Sequence, residues 1–498
     1  MFTRLKNMVG ANKLQHPLVV ITLLLMTVLF ALIIARGGLI VAVALVALIP
    51  ALLFLNRLFN SPQIGIFTLL VMSFLAIGLT RYIMNVPLGL SIDGLIVITY
   101  LALFFKKFYS KINFDQANRD ISYLLAFWFA YGILELANPQ ALSRTAWFYA
   151  MRGMSMYPVL IVPLGLMLFN RLRYMYYFLY IWGAFTIIAT LKGLQQLYLG
   201  LDYAEQFWID TIGGITHIVL GRLRIFSFFS DAGQFGAAQG AAGVVGILIA
   251  TTMKGRFNKI FFFLMGFMGL WGMMISGTRG AMIVPMIGGI TYLVLSKNVR
   301  VLLIGGFVMS VMYVFFAMTY IGESNYQIAR MRTAFRPTDD ASYQVRLQNR
   351  AILKTYLADK PFGGGIGSAG NWGQRFSPEG FLANVATDSW YVQIWAEQGI
   401  VGLFLHLFIL SFIALKGFYL VMVRIKNKEL VGILGALLAG YIGVMGASYG
   451  NGVLGQMPTG ALVYFSWVFI FIAQQLDREY TYLESKGLSP RAFHKQVD

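Results

Sequence analysis

Apolar residues in this chain fall in long continuous runs, and polar residues collect in the stretches between them. A run of roughly 18 or more apolar residues is long enough to cross a hydrocarbon core about 30 Å thick as a helix. A strand of a membrane barrel would alternate with period two, so the pattern predicts helices. We read about fourteen spans, at roughly 17–35, 39–55, 63–80, 87–105, 120–137, 155–170, 174–198, 233–253, 259–277, 280–296, 301–320, 400–423, 430–449 and 455–476. The expectation is an all-α polytopic membrane protein, a single transmembrane domain over residues 1–498 with 12–14 transmembrane helices.

One long polar stretch, residues 322–399, stands apart from these runs. It carries Arg330, Arg332, Arg336, Arg346 and Arg350, then the glycine-rich turn from Lys360 and Pro361 to Gly367, and closes with the segment from Ala386 through Asp388 and Glu397 to Gly399. Residues 341–357 read as an amphipathic helix, with Val345, Ile352 and Tyr356 on one face and Arg346 and Arg350 stacked at i, i+4 on another. Pro361 and the glycines stop it.

With 58% hydrophobic and only 12% charged residues, the composition excludes an ordinary soluble domain, in which about 25% of residues are charged. A net charge of +19 raises nucleic acid as a partner, but the basic residues punctuate the ends of apolar runs, which is the pattern of topology signals. Membrane lipids, not nucleic acid, are the expected surroundings. If the N-terminus is cytoplasmic, segments 1–16, 56–62, 106–119, 170–174, 254–259, 297–300, 416–429 and 477–498 lie on that side and hold more than half of the 39 Lys and Arg. The bias predicts N-in and C-in, with 17–35 a retained first span and 477–498 a short cytoplasmic tail. The absence of cysteine excludes disulfides and thiolate sites, and the scattered His16, His217, His406 and His494 form no metal-ligand cluster. No metal or cofactor is therefore expected. His217 reads first as a solvated loop residue, and Lys192 as a cation inside an apolar run that either snorkels outward or marks a polar cavity.

The same topology sends four arginine groups to the opposite face: Arg144 and Arg152, Arg222 and Arg224, Arg279, and the cluster within 322–399. Arg279 sits in the turn Ile275-Ser276-Gly277-Thr278-Arg279-Gly280-Ala281, where glycines permit close backbone approach and a guanidinium suits a phosphate. An interfacial arginine reaching headgroups is the plain alternative. Ser230 and Asp231 look like the N-terminus of a helix, a place that caps itself and also favours anions. Asp388 opens the last polar run as either an N-cap or a general base, and Glu397 could pair with an arginine. The run Gly363-Gly364-Gly365-Ile366-Gly367 matches neither a Walker loop nor a dinucleotide fingerprint.

The order of these motifs, from the arginines before Phe228-Phe229-Ser230-Asp231 through the Ser-Gly-Thr-Arg-Gly turn and the Lys-Pro-Phe-Gly-Gly-Gly-Ile-Gly turn to Glu397-Gln398-Gly399-Ile400-Val401-Gly402-Leu403, resembles the bacterial O-antigen ligase and O-antigen polymerase superfamily over roughly residues 221–403. The resemblance implies a GT-C-like glycosyltransferase of the inner membrane, acting in lipopolysaccharide or other polysaccharide assembly, with 322–399 as a large periplasmic loop. It implies transfer of a glycan from an undecaprenyl-diphosphate carrier to a sugar hydroxyl on a glycan or lipid-linked acceptor. Arg222, Arg224, Arg279 and Arg346 are the expected diphosphate ligands, and Arg279 and Asp388 the expected catalytic residues. Asp388 stands where the family's ligases carry a histidine, and Ser389 follows where Asn is frequent, so both ligase and polymerase remain open. Attack by the acceptor would invert the anomeric carbon without a metal. The alternative class is a lipid-linked oligosaccharide flippase, which would place its charges near the midplane of two repeated halves.

Overall fold

The computed structural model describes residues 17–83, 86–108, 112, 114–219, 221–335 and 341–488; Arg336, His16 and His494 lie outside the described residues. Each of the fourteen apolar runs is helical. The helices are α1 (Pro17–Asn60), broken in two at Gly38, α2 (Gln63–Leu79), α3 (Leu90–Lys107), α4 (Asp120–Ala137), α5 (Arg144–Leu168) and α6 (Leu172–Tyr198). After the short α7 (Tyr203–Trp208) come α8 (Ala232–Thr252), α9 (Arg256–Ile275), α10 (Arg279–Ser296) and α11 (Val299–Met318). The polar stretch folds as α12 (Tyr326–Arg332), α13 (Ala341–Tyr356) and α14 (Gly370–Phe376). Then α15 (Trp390–Arg424), α16 (Lys428–Ala447), α17 (Thr459–Phe471) and α18 (Ala473–Ser485) complete the described chain.

Among the described residues nine helices are long and apolar enough to cross a membrane, or ten if the pair α17 and α18, bent by 63°, counts as one span. The chain is an all-α polytopic membrane protein. The number fourteen is not reached on length and hydropathy, for physical reasons that differ by helix. The parts of α1 and all of α2 are short, and α3 holds Asp93, Lys106 and Lys107 within 18 residues.

Small residues let the central helices approach at backbone distance. In α8, Gly243 and Gly246 face Gly266 and Gly269 of α9, and a Cβ at Gly269 would lie 2.6 Å from Gly243 N and 2.7 Å from Gln239 O. The same device joins α10 to α16, where a Cβ at Gly443 would meet Val284 O at 2.7 Å and one at Gly288 would meet Ala439 O at 2.9 Å. Close approach of this kind is how helices gain dispersion energy where lipid is as apolar as their own side chains. The result is a tight group, α8, α9, α10 and α16, whose ends carry the polar turns described below.

Two expectations are corrected. Arg144 and Arg152 do not lie in a loop before the sixth span; both belong to α5, which starts well before residue 155. Arg152 tolerates a helical position because Asp93 of α3 pairs with it at 2.7 Å and the Tyr157 hydroxyl accepts from it at 2.9 Å. In α13 the packed side is not the Val345 and Ile352 face, since both are exposed. It is instead the side of Leu353 and Leu357, which also carries the half-buried Arg346 and Arg350. The arginine face thus turns inward because its guanidiniums find partners there.

Gly269→Val should lower the stability of the purified protein by about 1–3 kcal/mol, because the facing backbone of α8 cannot move aside. Gly306→Val, where a Cβ meets nothing within 4 Å, should leave the melting temperature unchanged in the same thermal scan.

Candidate functional site

Four polar pieces meet at the ends of the tight helix group. The first is the hairpin formed by Ile218–Val219 and Arg222–Leu223, turned at Gly221 with φ 70°, which presents Arg222 and Arg224. The second is the start of α8, where Asp231 Oδ1 accepts from Gln234 N at 2.9 Å and so caps the helix as its sequence suggests. The third is the turn between α9 and α10, where Gly277 adopts φ 59° and Thr278 donates its hydroxyl to Ala232 O at 2.8 Å. The fourth is α12, capped by Asn325 and carrying Tyr326 and Arg330.

These pieces gather guanidinium groups. Arg224 donates to Thr278 Oγ1 at 3.1 Å, Arg279 to Thr333 Oγ1 at 3.2 Å and Arg330 to the Tyr326 hydroxyl at 2.6 Å. Arg222 lies over the Tyr326 ring at 4.5 Å. A Cβ at Gly277 would come within 3.4 Å of Arg330 Cδ, so the glycine makes room for that side chain. Burial first, then the neighbouring Arg330 and Arg279, push the Arg224 guanidinium below its ordinary pKa, while Asp231 and Tyr326 act against the shift. Among the described residues, the Nε atoms of Arg224 and Arg330 are buried without a partner. Such a cluster of planar guanidiniums is a ready receptor for a multiply charged oxyanion.

A buried network braces this site from behind. Ser227 takes a left-handed backbone with φ 53° and is held by Gln196, whose Oε1 accepts from Ser227 N at 2.8 Å. Arg81 donates to Ser227 O at 2.9 Å and to Phe229 O, and its guanidinium lies between the rings of Trp208 at 4.7 Å and Phe226 at 4.4 Å. Burial brings the Arg81 pKa down to about 10. Lys192 neither snorkels nor stands alone: it bridges Asp202 at 2.9 Å and Glu205 at 3.1 Å. Burial works against ionisation of Asp202, but hydrogen bonds from Tyr82, the Glu205 backbone and Lys192 outweigh it and bring its pKa to about 2. His217 is buried, not solvated, with Nδ1 3.0 Å from Gly213 O and Nε2 3.2 Å from Ser230 O, and burial lowers its pKa.

Arg346 and Asp388 lie in a second polar group. Arg346 Nε meets Asp388 Oδ2 at 3.2 Å, and Arg350 donates to the Tyr449 hydroxyl at 2.6 Å while stacking on its ring. Ser389, not Asp388, caps α15, accepting from Val392 N. The aspartate is thereby left outside the helix, its carboxylate half exposed. Among the described residues Glu397 pairs with no arginine; its Oε1 accepts from Ala369 N at 3.2 Å, and the backbone of Gly364 and Gly365 bonds to Ala396 O and Glu397 O. The glycine-rich turn is clamped onto α15, with Gly363 and Gly399 both at positive φ where they touch.

The segment 448–458, between α16 and α17, touches both groups. Ser448 O accepts from Trp390 N at 3.0 Å, and Tyr449 receives Arg350. Asn451 fits against Gly280, where a Cβ would lie 2.3 Å from its Nδ2. Gln456 Oε1 lies 2.7 Å from Ser230 Oγ, and Gln456 O accepts from Gln234 Nε2 at 3.2 Å. Gly455 O presses on Gly153, beside Arg152. The structure brings Arg222, Arg224 and Arg279 together with Arg330. It sets Arg346 with Asp388 beside the other end of 448–458, where Arg350 meets Tyr449.

Residues 260–407 match the family model described as O-antigen ligase. That segment belongs to the O-antigen ligase and polymerase superfamily. It runs from α9 to the first part of α15 and holds Arg279, Arg330, Arg346, Asp388 and the glycine-rich turn, whereas Arg222 and Arg224 precede it. No curated protein matches the chain. The match over this segment suggests a glycan-transfer role in O-antigen assembly.

Two outcomes follow from the geometry around the O-antigen ligase segment. Asp202 is depressed in the folded protein, so its bracing of the α6–α7 corner is complete above its unfolded pKa and fades as the pH falls from about 4 toward 2; hydrogen exchange at residues 198–205 should accelerate in that window. The Arg346–Asp388 pair is 34% and 52% exposed, so Asp388→Asn should change the stability by no more than about 1 kcal/mol in thermal melts.

Proposed function

We propose that the chain transfers a glycan from an undecaprenyl-diphosphate carrier to a sugar hydroxyl, at the periplasmic face of the bacterial inner membrane with both termini in the cytoplasm. The observation that carries this reading is the grouping of Arg224, Arg279 and Arg330, with Arg222 beside them, where Arg224 and Arg330 donate to neutral hydroxyls. A diphosphate is the leaving group that such a set suits, since its growing charge meets donors already oriented in a partly dehydrated place.

In this mechanism the acceptor hydroxyl oxygen attacks the anomeric carbon from the side opposite the diphosphate. The new glycosidic bond forms as the bond from carbon to phosphate oxygen breaks, with inversion and without a metal. Arg222, Arg224, Arg279 and Arg330 take the charge of the departing diphosphate. Asp388 receives the hydroxyl proton, and Arg346 orients its carboxylate. The acceptor is another glycan or a lipid-linked sugar. Segment 448–458 joins the two halves, since it contacts the Arg279 turn through Asn451 and the start of α15 through Ser448.

The test is turnover by the purified protein given an undecaprenyl-diphosphate glycan and candidate acceptors. Arg279→Ala and Asp388→Ala, each inserted normally, should lose about a hundredfold or more in rate. A ladder of products would identify a polymerase and a single addition a ligase. Full transfer by either variant would sink the assignment of that residue.

A further inference from the structure

A donor of the proposed kind is an amphiphile, so its tail must lie in hydrocarbon close to the arginines that hold its head. Of the helices that end near those arginines, α8 and α16 are largely closed to a tail, with 72% and 78% of their apolar windows buried inside the protein, and α9 and α10 are 39% buried. Helix α11 is the most open span among the described residues, with 6% buried against 28–78% for the other eight. Ile304, Phe307, Val311, Val314 and Met318 recur at three- and four-residue spacing and are all exposed, which makes one apolar stripe along the helix. The stripe runs to the end of α11, where Thr319–Ile321 turns the chain toward α12.

Helix α12 links that end to the arginine group. Arg330 and Arg332 are two residues apart, hence about 200° apart around the helix. Arg330 reaches toward Gly277, whereas Arg332 turns back to α11, its guanidinium 5.1 Å from the Phe315 ring and donating to Thr319 Oγ1 at 3.2 Å and to Ile321 O. Arg332 is 7% exposed, and its Nε and one terminal nitrogen have no partner among the described residues. A buried cation whose acceptors among the described residues are all neutral attracts an anion to that place. Bilayer chains in general would cover an apolar helix; they give no reason for a buried cation where the stripe ends.

Resting on the proposed function, we propose that α11 is the track of the carrier's polyprenyl tail, with the phosphate end passing Arg332 to reach Arg330 and Arg279. The broken helix α1 is also exposed, but it packs chiefly on α3 and α2 and carries none of the arginine group, and so serves as the control surface.

The chain contains no cysteine, so single sites can be labelled directly. Ile304→Cys and Val311→Cys on α11, and Leu24→Cys and Val46→Cys on α1, would each carry a benzophenone and be irradiated in phospholipid vesicles holding a small fraction of undecaprenyl diphosphate. Adducts with undecaprenyl diphosphate should form several-fold more at 304 and 311 than at 24 and 46. Equal labelling on both helices, or adducts at 304 and 311 that are only phospholipid or a second copy of the chain, would overturn the track. Binding of inorganic pyrophosphate, measured on the same variants, reads the arginine group separately. Its presence alongside equal labelling removes the track alone, and its absence removes the proposed function with it.

Discussion

Mutual repulsion among Arg224, Arg279 and Arg330 is the constraint around which the polar half of this protein is built. Guanidiniums do not gather unaided, because each remains charged at any physiological pH. The lowered Arg224 pKa, caused by burial and then by Arg330 and Arg279, shows that the crowding is felt. The strain is held by parts that cannot yield. The hairpin fixes Arg224, the α9–α10 turn fixes Arg279, and the Tyr326 hydroxyl fixes Arg330. Behind them the left-handed Ser227 is pinned by Gln196 and Arg81, a conformation that costs of order 1–3 kcal/mol and persists only when its surroundings over-determine it.

The tight packing of α8, α9, α10 and α16 belongs to the same account. Their glycines let backbones touch, so the turns at their ends are held by main chain and not by mobile side chains. Segment 448–458 then lies against those ends, with Asn451 slotted beside Gly280 and Gln456 beside Ser230 and Gln234. Because Ser448 also receives the first amide of α15, a shift of the Arg279 turn is transmitted to the residue next to Asp388 by one short stretch of chain. The two flanks thus share one short stretch of chain, 448–458.

Much of this was legible in the sequence and some was not, for identifiable reasons. Continuous apolar runs announce helices, and all fourteen runs are helical, because hydropathy reports local burial in lipid. The number that count as spans differs because α2 and the parts of α1 are short, α3 holds three charges, and α17 and α18 are bent by 63°. The Asp231 cap follows from local chemistry and is present. Arg152 was misplaced because its tolerance for a helix rests on Asp93, distant in sequence. The inward face of α13 was misread for the same reason, since the partners of Arg346 and Arg350 are Asp388 and Tyr449. His217 looks like a solvated loop residue until Trp208 and Phe226 close over it. Arg330 stood among several arginines of one polar stretch, and only the approach to Gly277 singles it out.

The charge balance around Arg224 and Arg330, among the described residues, favours an added counter-ion. Asp231 is the carboxylate that acts on Arg224, yet its Oδ1 is already committed to the Gln234 amide and its Oδ2 lies 2.9 Å from the Ser230 hydroxyl. A second acidic side chain among the arginines would quiet the repulsion and stabilise the empty protein. It would also occupy the donors and repel a diphosphate, since a ligand is held only by the difference between what it gains and what it displaces. Hydroxyl partners such as Thr278 and Tyr326 orient the guanidiniums while leaving their charge uncancelled. A site that keeps its cations oriented and under-neutralised gains most when negative charge grows on the leaving group, which is where a transferase needs its binding energy.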